Sequence, residues 1–412
     1  MATLKLGSRD AGAPAVDKNA YFGLFHEVLS SDLKLKRKFR DEANNVWRDF
    51  QDLPGTNVTD LQQFLHEAGF LAAITEPGFY GYVTGAAVRL FQEYVRSVEG
   101  DGSIGTPDGV AGSNTLKHVE RWKSGGLKSE YASFSAAAPS MEYQVWMNML
   151  KNAKAHFIAN ASPVLQLREV FAAPTDTLRL ADWNTDPNEI HLIGIRRNQD
   201  QKVGANEIRE NDDLFVLLFN GMVFKFWGST DANPHLAHKD RKDEAYLMEG
   251  QHRYRFGWHK ISDGGRVYRA LRPSGPGVLV FRDRDGANAL TEENIGKGID
   301  AKANQEINIH WSGKGDSNFS AGCQVIAGKS YINHRGELID CSGFAASTYE
   351  ELKTKTRGAY NFMADLVLAL SGAGVNKVYY TLGRDETLDL EPTLGAAFAE
   401  RAVQRLKKLE ID

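Results

Sequence analysis

A histidine and a cysteine thirteen positions apart are the residues of this sequence best suited to chemistry. His310 ends a predicted strand, and Cys323 follows it in a Ser320-Ala321-Gly322-Cys323 turn. A thiol is mostly protonated near neutral pH and needs a base or a cation to become the nucleophilic thiolate. A histidine can take that proton and later deliver one to a leaving amine. The pair predicts acyl transfer through Cys323, with His310 as base and acid.

The neighbours of the cysteine suit the same reaction. Gly322 lets backbone and substrate approach closely, and the N–H groups of Gly322 and Cys323 are expected to hold the oxyanion of a tetrahedral intermediate. Ser320 is expected to support the turn or the histidine. This chemistry requires no metal and no other cofactor.

Further candidates lie at or near the ends of predicted strands. His259 is expected to line the cleft as a second polar group, and Trp311 follows the base directly. Arg196 and Arg282 could bind a substrate carboxylate, although a surface ion pair is the simpler interpretation of each. Cys341 has no comparable neighbours and is predicted to be a small buried hydrophobe.

Short strands are predicted to position these residues. The strongest signal is a hairpin around Asn220-Gly221, because a type I′ turn requires positive φ at both central residues. The further strand candidates are residues 191–196, 254–256, 267–271, 278–282 and 307–310. Short strands separated by turn residues predict a mainly β domain.

Residues 180–345 resemble the L,D-transpeptidase (YkuD-type) family, in which a histidine after a strand precedes a Ser/Thr-His-Gly-Cys box. His310 matches the first histidine, and Ser320, Gly322 and Cys323 match the box. The Asn220-Gly221 hairpin, the loop 228–234 and the strand 250–259 resemble the family's early strand pair, its substrate-side loop and its strand leading to Gly-x-His.

The sequence also departs from that family. Ala321 replaces the histidine of the box, and Gln324-Val325-Ile326 lacks the usual polar or basic residue after the cysteine. The resemblance implies attack by Cys323 on a stem-peptide carbonyl of peptidoglycan at the third residue. The acyl acceptor stays open: an amine would give L,D-transpeptidation, and water would give carboxypeptidase or endopeptidase activity.

Residues 55–122 predict a unit of three helices, with Gly69 as a helix C-cap and Thr84 as an N-cap. The order of its features resembles the peptidoglycan-binding domain-1 family. The matches are Leu61-Gln62, Gly69-Phe70, Phe79, Gly81, Thr84, Ala87-Val88, Phe91-Gln92, Asp108-Gly109, Gly112 and Thr115. The resemblance implies binding of glycan or stem peptide, with Phe79 and Phe91 as candidate contacts, although Phe91 is also expected in the core.

The predicted fold is multidomain and α+β overall. The predicted parts are an N-terminal helical extension (1–54), the three-helix peptidoglycan-binding-like module (55–122), a helical linker region (123–176), the L,D-transpeptidase-like β domain (177–345) and a C-terminal helical extension packed on that domain (346–412). Residues 349–370 and 392–409 are the predicted helices of the last part, with a strand candidate at 378–382.

Composition narrows the classes of function. The 412 residues are 42% hydrophobic and 25% charged, as in soluble globular proteins. A net charge of −4 gives no global basic field for nucleic acid. No apolar run is long enough for a membrane span, and no secretory signal is visible. Two cysteines are too few for a disulfide framework, although one bridge between them is compatible with the sequence.

The preferred interpretation is a peptidoglycan-active cysteine enzyme. One alternative is a non-catalytic peptidoglycan-binding protein that keeps the same fold, which Ala321 favours. Another is a metal-dependent peptidase using His235, His238 or His259. The expected place of action is the periplasm or cell wall, reached through a dedicated secretion apparatus, a phage or phage-like particle, or lysis. A housekeeping cross-linker and a wall-targeting effector or lysin both stay open.

Overall fold

A computed structural model describes most of the chain. The described residues are 2–14, 38–160, 169–197, 209–233, 244–259, 266–282, 299–300, 302–316, 318, 320–371 and 377–410. The β-strands among them are β1 (Ser8–Asp10), β2 (Lys38–Asp41), β3 (Val46–Asp49), β4 (Gln51–Leu53), β5 (His191–Ile195), β6 (Asp213–Phe219), β7 (Met222–Ser229), β8 (Ala245–Leu247), β9 (Gly250–His259), β10 (Tyr268–Pro273), β11 (Val280–Arg282), β12 (Ile309–Trp311), β13 (Gln324–Ile326), β14 (Ser330–Ile332), β15 (Leu338–Asp340) and β16 (Val378–Gly383). The α-helices are α1 (Asn57–Glu67), α2 (Tyr82–Ser97), α3 (Ser113–Gly125), α4 (Met141–Ala159), α5 (Ala359–Leu370), α6 (Glu391–Leu394) and α7 (Phe398–Lys408). The fold is a mixed α/β arrangement dominated by one large sheet.

The prediction of a helical N-terminal extension is wrong for its described part, while residues 15–37 lie outside the described residues. Strands β2 and β3 form an antiparallel hairpin, and β1 pairs in parallel with β4. Asn45 takes a positive φ of 56° in the hairpin turn, which a helix does not allow. Trp47 on β3 packs edge-on against Trp258 of the large sheet, with ring centroids 5.8 Å apart.

Helices α1, α2 and α3 confirm the three predicted helices of residues 55–122. Gln62 is buried in α1, and its Nε2 group donates to the carbonyls of Glu76 and Phe79 and to Thr84 Oγ1 at 2.8–2.9 Å. Gly69 has the positive φ (84°) that ends α1, as predicted. The N-cap prediction is wrong, because Gly81 caps α2 and the Thr84 hydroxyl accepts from Gln62.

Glu76, between α1 and α2, is a buried carboxyl whose Oε2 atom has no hydrogen-bond partner among the described residues. Burial raises the pKa of Glu76 well above its usual value. As pH rises past the ordinary carboxyl range, the unfolded chain releases this proton before the folded protein does, so folding stability falls. We expect Glu76→Gln to stabilise the protein by about 1 kcal/mol at pH 7 and to change little below pH 4. Urea unfolding at both pH values measures this, and an equal effect at both would contradict it.

The large sheet closes on itself. The strands follow one another in the order β13, β12, β10, β9, β16, β5, β6 and β7, and β7 pairs back with β13; β14 and β15 continue from β7. The predicted hairpin is confirmed: Asn220 and Gly221 have φ of 48° and 79°, and they join β6 to β7 with Phe219 opposite Met222. Because the sheet closes, β12 and β13 lie between β10 and β7. Strand β12 contains His310, and β13 begins directly after Cys323.

The C-terminal segment belongs to the sheet and is not only packed on it. Strand β16 pairs in parallel with β5 and antiparallel with β9, so the predicted boundary at 345 does not separate this segment from the β region. The predicted helix over 349–370 is shorter than expected. It begins at Ala359, after Gly358 with its positive φ of 54°, and the earlier part of the predicted span contains only a short 3₁₀ helix, Glu350–Lys353.

The three-helix unit shares one hydrophobic cluster with the sheet and with α5. Arg89 of α2 and Asp365 of α5 form a bidentate ion pair with two 2.6 Å contacts. Gly126, with φ of 58°, caps α3, which ends at Gly125. The unit is therefore docked closely on the rest of the protein. No helix within the described residues combines the length and the apolar character needed to cross a membrane.

Candidate active site

A pocket of about 580 Å³ lies over β12 and the turn that leads into β13. Six of the residues singled out in the sequence line it, namely Cys323, His310, Ser320, Gly322, His259 and Trp311. Its other lining residues are of both kinds, with Ala245, Ile307, Gly313, Ala321 and Tyr349 beside the polar Asn304, Glu306, Ser312, Ser347 and Thr348. Most of the surface exposed in the pocket is apolar.

Parallel pairing of β12 and β13 explains the spacing of histidine and cysteine. His310 is opposite Val325 in the register of these strands, and Cys323 is the residue immediately before β13. One atom of Cys323, one of His310 and one of His259 all lie within 4.8 Å of one another. The thiol is half-buried, and it donates to the carbonyl of Glu306 at 3.1 Å.

The turn before the nucleophile is held by Ser320. Its hydroxyl donates to the carbonyl of Cys323 at 2.7 Å and accepts from the N–H of Gly322 at 3.1 Å. Gly322 has a φ of 147°, and a Cβ there would lie 3.1 Å from both the Cβ and the carbonyl oxygen of Ala245. The position therefore favours glycine for its backbone angle and for the space around it. The N–H of Gly322 donates to Ser320 in this conformation, and the role of the Gly322 and Cys323 N–H groups in holding an oxyanion stays a prediction.

Polar residues that were not singled out in the sequence form hydrogen bonds that hold this turn in place. The N–H of Ser320 donates to Asn318 Oδ1 at 2.9 Å, and its carbonyl accepts from the N–H of Asn233 at 2.7 Å. Asn318 Nδ2 donates to the carbonyl of Asp231 at 2.8 Å. An asparagine two residues before a serine is a local turn signal, whereas the contact with Asn233 depends on the tertiary fold.

The imidazoles of His310 and His259 are stacked, with ring centroids 4.1 Å apart and an interplanar angle of 28°. The Nδ1 atom of His310 lies 2.9 Å from the carbonyl of Trp311 and 3.1 Å from the hydroxyl of Tyr268. The Nδ1 atom of His259 lies 3.0 Å from Asn308 Nδ2. Burial raises the pKa of Tyr268 well above its usual value, so this hydroxyl stays neutral beside His310.

Arg196 does not reach the pocket. Its guanidinium is fully buried, lies 3.0 Å from Asp231 and donates to Thr230 Oγ1 at 3.0 Å. An arginine at a strand end looks the same in sequence whether it points outward or into the protein, and here it points inward. The expectation of substrate binding by Arg196 is therefore corrected to a structural ion pair. Arg282 likewise pairs with Asp300 at 2.8 Å.

The two phenylalanines proposed as ligand contacts lie in the core. Phe79 is 9% exposed and packs edge-on against Phe50. Phe91 is fully buried, and its ring meets those of Phe64 and Trp122 at centroid distances of 5.3 Å. Neither ring presents a face to a glycan, so packing replaces the expected binding role of both.

Cys341 fits the expectation of a small buried hydrophobe. It is 1% exposed, and burial raises the pKa of its thiol well above the usual value. Both cysteines are free, so no disulfide joins them.

The same group of side chains offers ligands to a metal ion. Cys323, His310 and His259 provide one sulfur and two nitrogen ligand atoms, a set that suits Zn²⁺ or copper. These are the atoms expected to act as nucleophile and base, so a bound cation would compete with nucleophilic chemistry. His235 and His238, considered above as metal ligands, lie outside the described residues.

Comparison of the chain with models of protein families, with curated proteins and with solved structures finds no match.

Proposed function

We propose that this protein is a peptidoglycan-active cysteine enzyme that works through an acyl-enzyme on Cys323. The observation that carries the proposal is a half-buried thiol within 4.8 Å of two imidazoles, in a pocket of about 580 Å³. A cysteine kept only for packing would be buried, as Cys341 is. The choice of peptidoglycan as substrate rests on the resemblances of residues 55–122 and 180–345 to wall-binding and L,D-transpeptidase families.

The contacts of His310 suit it for the role of base. A carbonyl only accepts hydrogen bonds, so the Trp311 carbonyl 2.9 Å from Nδ1 requires a proton on that atom. The neutral ring then carries its lone pair on Nε2. This tautomer can take the proton of Cys323, as the orienting group of a catalytic triad arranges in other enzymes.

The proposed reaction uses Cys323, His310, the substrate and an acceptor, and it needs no cofactor. Cys323 Sγ gives its proton to His310 Nε2 and forms a C–S bond with the substrate carbonyl carbon. The tetrahedral intermediate collapses, the C–N bond breaks, and His310 returns the proton to the leaving amine. An acceptor amine or water then attacks the thioester and gives a proton to His310. The C–S bond breaks, and that proton returns to the sulfur.

The finer fold assignment and the place of action belong to the same proposal. The sheet with β12 and β13 would be a divergent L,D-transpeptidase domain, and α1 to α3 a peptidoglycan-binding module docked on it. The enzyme would act in the periplasm or cell wall after export by a non-classical route or delivery by a phage-like particle.

Digestion of purified sacculi and muropeptides, followed by mass spectrometry, tests the proposal. Wild type should change the muropeptide profile, and Cys323→Ala should leave it at the level of a buffer control. Cys341→Ala is the matched control and should behave as wild type, since that thiol is buried away from the pocket. Identical profiles for wild type and Cys323→Ala would reject the enzyme, and sacculus binding by both would then favour a wall-binding protein.

A further inference from the structure

The two stacked imidazoles of the pocket are held in opposite tautomers. His310 faces the Trp311 carbonyl with Nδ1, so its Nδ1 carries the proton. His259 faces Asn308 Nδ2 with Nδ1 at 3.0 Å. As the Asn308 amide is oriented in the structure, its nitrogen faces His259, and an amide nitrogen only donates hydrogen bonds. In this orientation Asn308 Oδ1 has no hydrogen-bond partner among the described residues, His259 Nδ1 accepts, and the proton of the neutral ring lies on Nε2. Nε2 of the neutral His310 ring can therefore accept a proton, whereas Nε2 of the neutral His259 ring carries a proton and can donate a hydrogen bond.

The stacking favours a neutral His259 at the stage of the reaction when His310 is protonated. When His310 takes the proton of Cys323 it becomes a cation, and a second positive ring at a centroid distance of 4.1 Å would be repelled. A proton on Nδ1 of His259 would also point at the amide hydrogens of Asn308. Both effects favour a neutral His259 with its proton on Nε2.

One of the two backbone donors expected to serve an oxyanion is engaged within the turn around the nucleophile. The N–H of Gly322 donates to Ser320 Oγ, and Ala321 has no polar side chain. His259 lines the pocket, with one ring nitrogen within 4.8 Å of Cys323 Sγ. A neutral imidazole N–H in this place can stabilise negative charge on a carbonyl oxygen without a proton being transferred.

We propose that His259 is a second catalytic residue, a neutral donor whose Nε2–H binds the carbonyl oxygen of the acyl donor and the oxyanion formed from it. Asn308 is the positioning residue that sets its tautomer. This inference rests on the proposed acyl-enzyme and deepens it. When Cys323 forms the C–S bond, the π electrons of the carbonyl move to oxygen, which accepts the hydrogen bond from His259. They return to re-form the C=O bond as the leaving group departs.

Two reactions of Cys323 separate this role from activation of the thiol. Acylation by p-nitrophenyl acetate passes through an oxyanion, whereas alkylation by iodoacetamide does not. His259→Phe keeps an aromatic ring and removes the donor. It should slow the p-nitrophenolate burst about 100-fold and change the alkylation rate less than twofold. His156→Phe, on α4 and outside the pocket, is the matched control and should change neither rate. Equal slowing of both reactions by His259→Phe, or of neither, would overturn the proposal.

The tautomers can be read in the unmodified protein. In ¹⁵N-histidine-labelled wild type, long-range ¹H–¹⁵N spectra should show His259 protonated at Nε2 and His310 at Nδ1, with assignments from His259→Phe and His310→Phe. In Asn308→Asp the carboxylate accepts from Nδ1–H, so the His259 proton should move to Nδ1 and the burst should fall as in His259→Phe. A wild-type His259 protonated at Nδ1 would overturn the proposal even if a variant fails to fold.

These outcomes are independent of the natural substrate. An unchanged muropeptide profile together with a burst that depends on His259 would reject the peptidoglycan assignment and keep the role of His259. A changed muropeptide profile together with a burst rate that is unchanged in His259→Phe would keep the peptidoglycan assignment and reject the role of His259.

Discussion

Replacing His310 by glutamine is expected to slow alkylation of Cys323 by iodoacetamide at least tenfold at pH 7. An unassisted cysteine is only a few per cent thiolate at that pH, whereas a thiol beside a neutral imidazole can pass its proton to that ring as the sulfur attacks. The difference should disappear near pH 10, where any exposed thiol is ionised. Acylation should fall further, by roughly 10²- to 10⁴-fold, because His310 also protonates the leaving group.

Intact-mass spectrometry of timed reactions measures the alkylation rate. A pH series from 5 to 10 separates an effect on ionisation of the Cys323 thiol from an effect on access of iodoacetamide to it. Cys341 supplies an internal control, since its buried thiol should stay unlabelled in every folded variant. An alkylation rate in His310→Gln equal to that of wild type at pH 7 would show that His310 does not ionise the nucleophile.

Replacing Arg196 by methionine is expected to destabilise the protein by about 3–5 kcal/mol, because removing one partner of a buried ion pair leaves an uncompensated charge. Asp231 would lose its 3.0 Å contact with the guanidinium. Burial and the charge of Asp231 already raise the pKa of Asp213 above its usual value, so this region tolerates little additional negative charge. Urea unfolding followed by tryptophan fluorescence at pH 7 measures the loss.

The double variant Arg196→Met with Asp231→Asn is the matched comparison. It removes the charge left behind, so it should recover a substantial part of the lost stability. If Arg196→Met instead kept full stability and only weakened substrate binding, the substrate-binding role expected from the sequence would be restored.

Features set by neighbouring residues could be predicted from the sequence. Asn220-Gly221 specifies its hairpin because both residues accept positive φ. The three helices of residues 55–122 follow from local apolar spacing and the glycine that ends α1. The Cys323 turn and its histidine could be found because the chemistry of a thiol narrows the residue types around it.

Features that depend on distant partners could not be predicted. Strands β2 and β3 are polar and short, and they take their conformation while packing against α2 and the sheet. Tyr268 contacts His310 from 42 positions away, so no local pattern marks it. Asn308 is close to His310 in sequence, but its role depends on His259, which β9 supplies. Arg196 and the two phenylalanines were misassigned because burial depends on which face of an element meets the rest of the protein.

The position of β16 has a consequence for how the protein is made. This strand lies between β5 and β9, although both of these strands and all of β10 to β15 leave the ribosome before it. Until residues 378–383 emerge, β5 and β9 each lack a neighbour, and the ring that holds β12 beside β13 cannot be completed. Such long-range pairing makes folding slow. A nascent chain would therefore complete the sheet around Cys323 and His310 only after β16 has been synthesised.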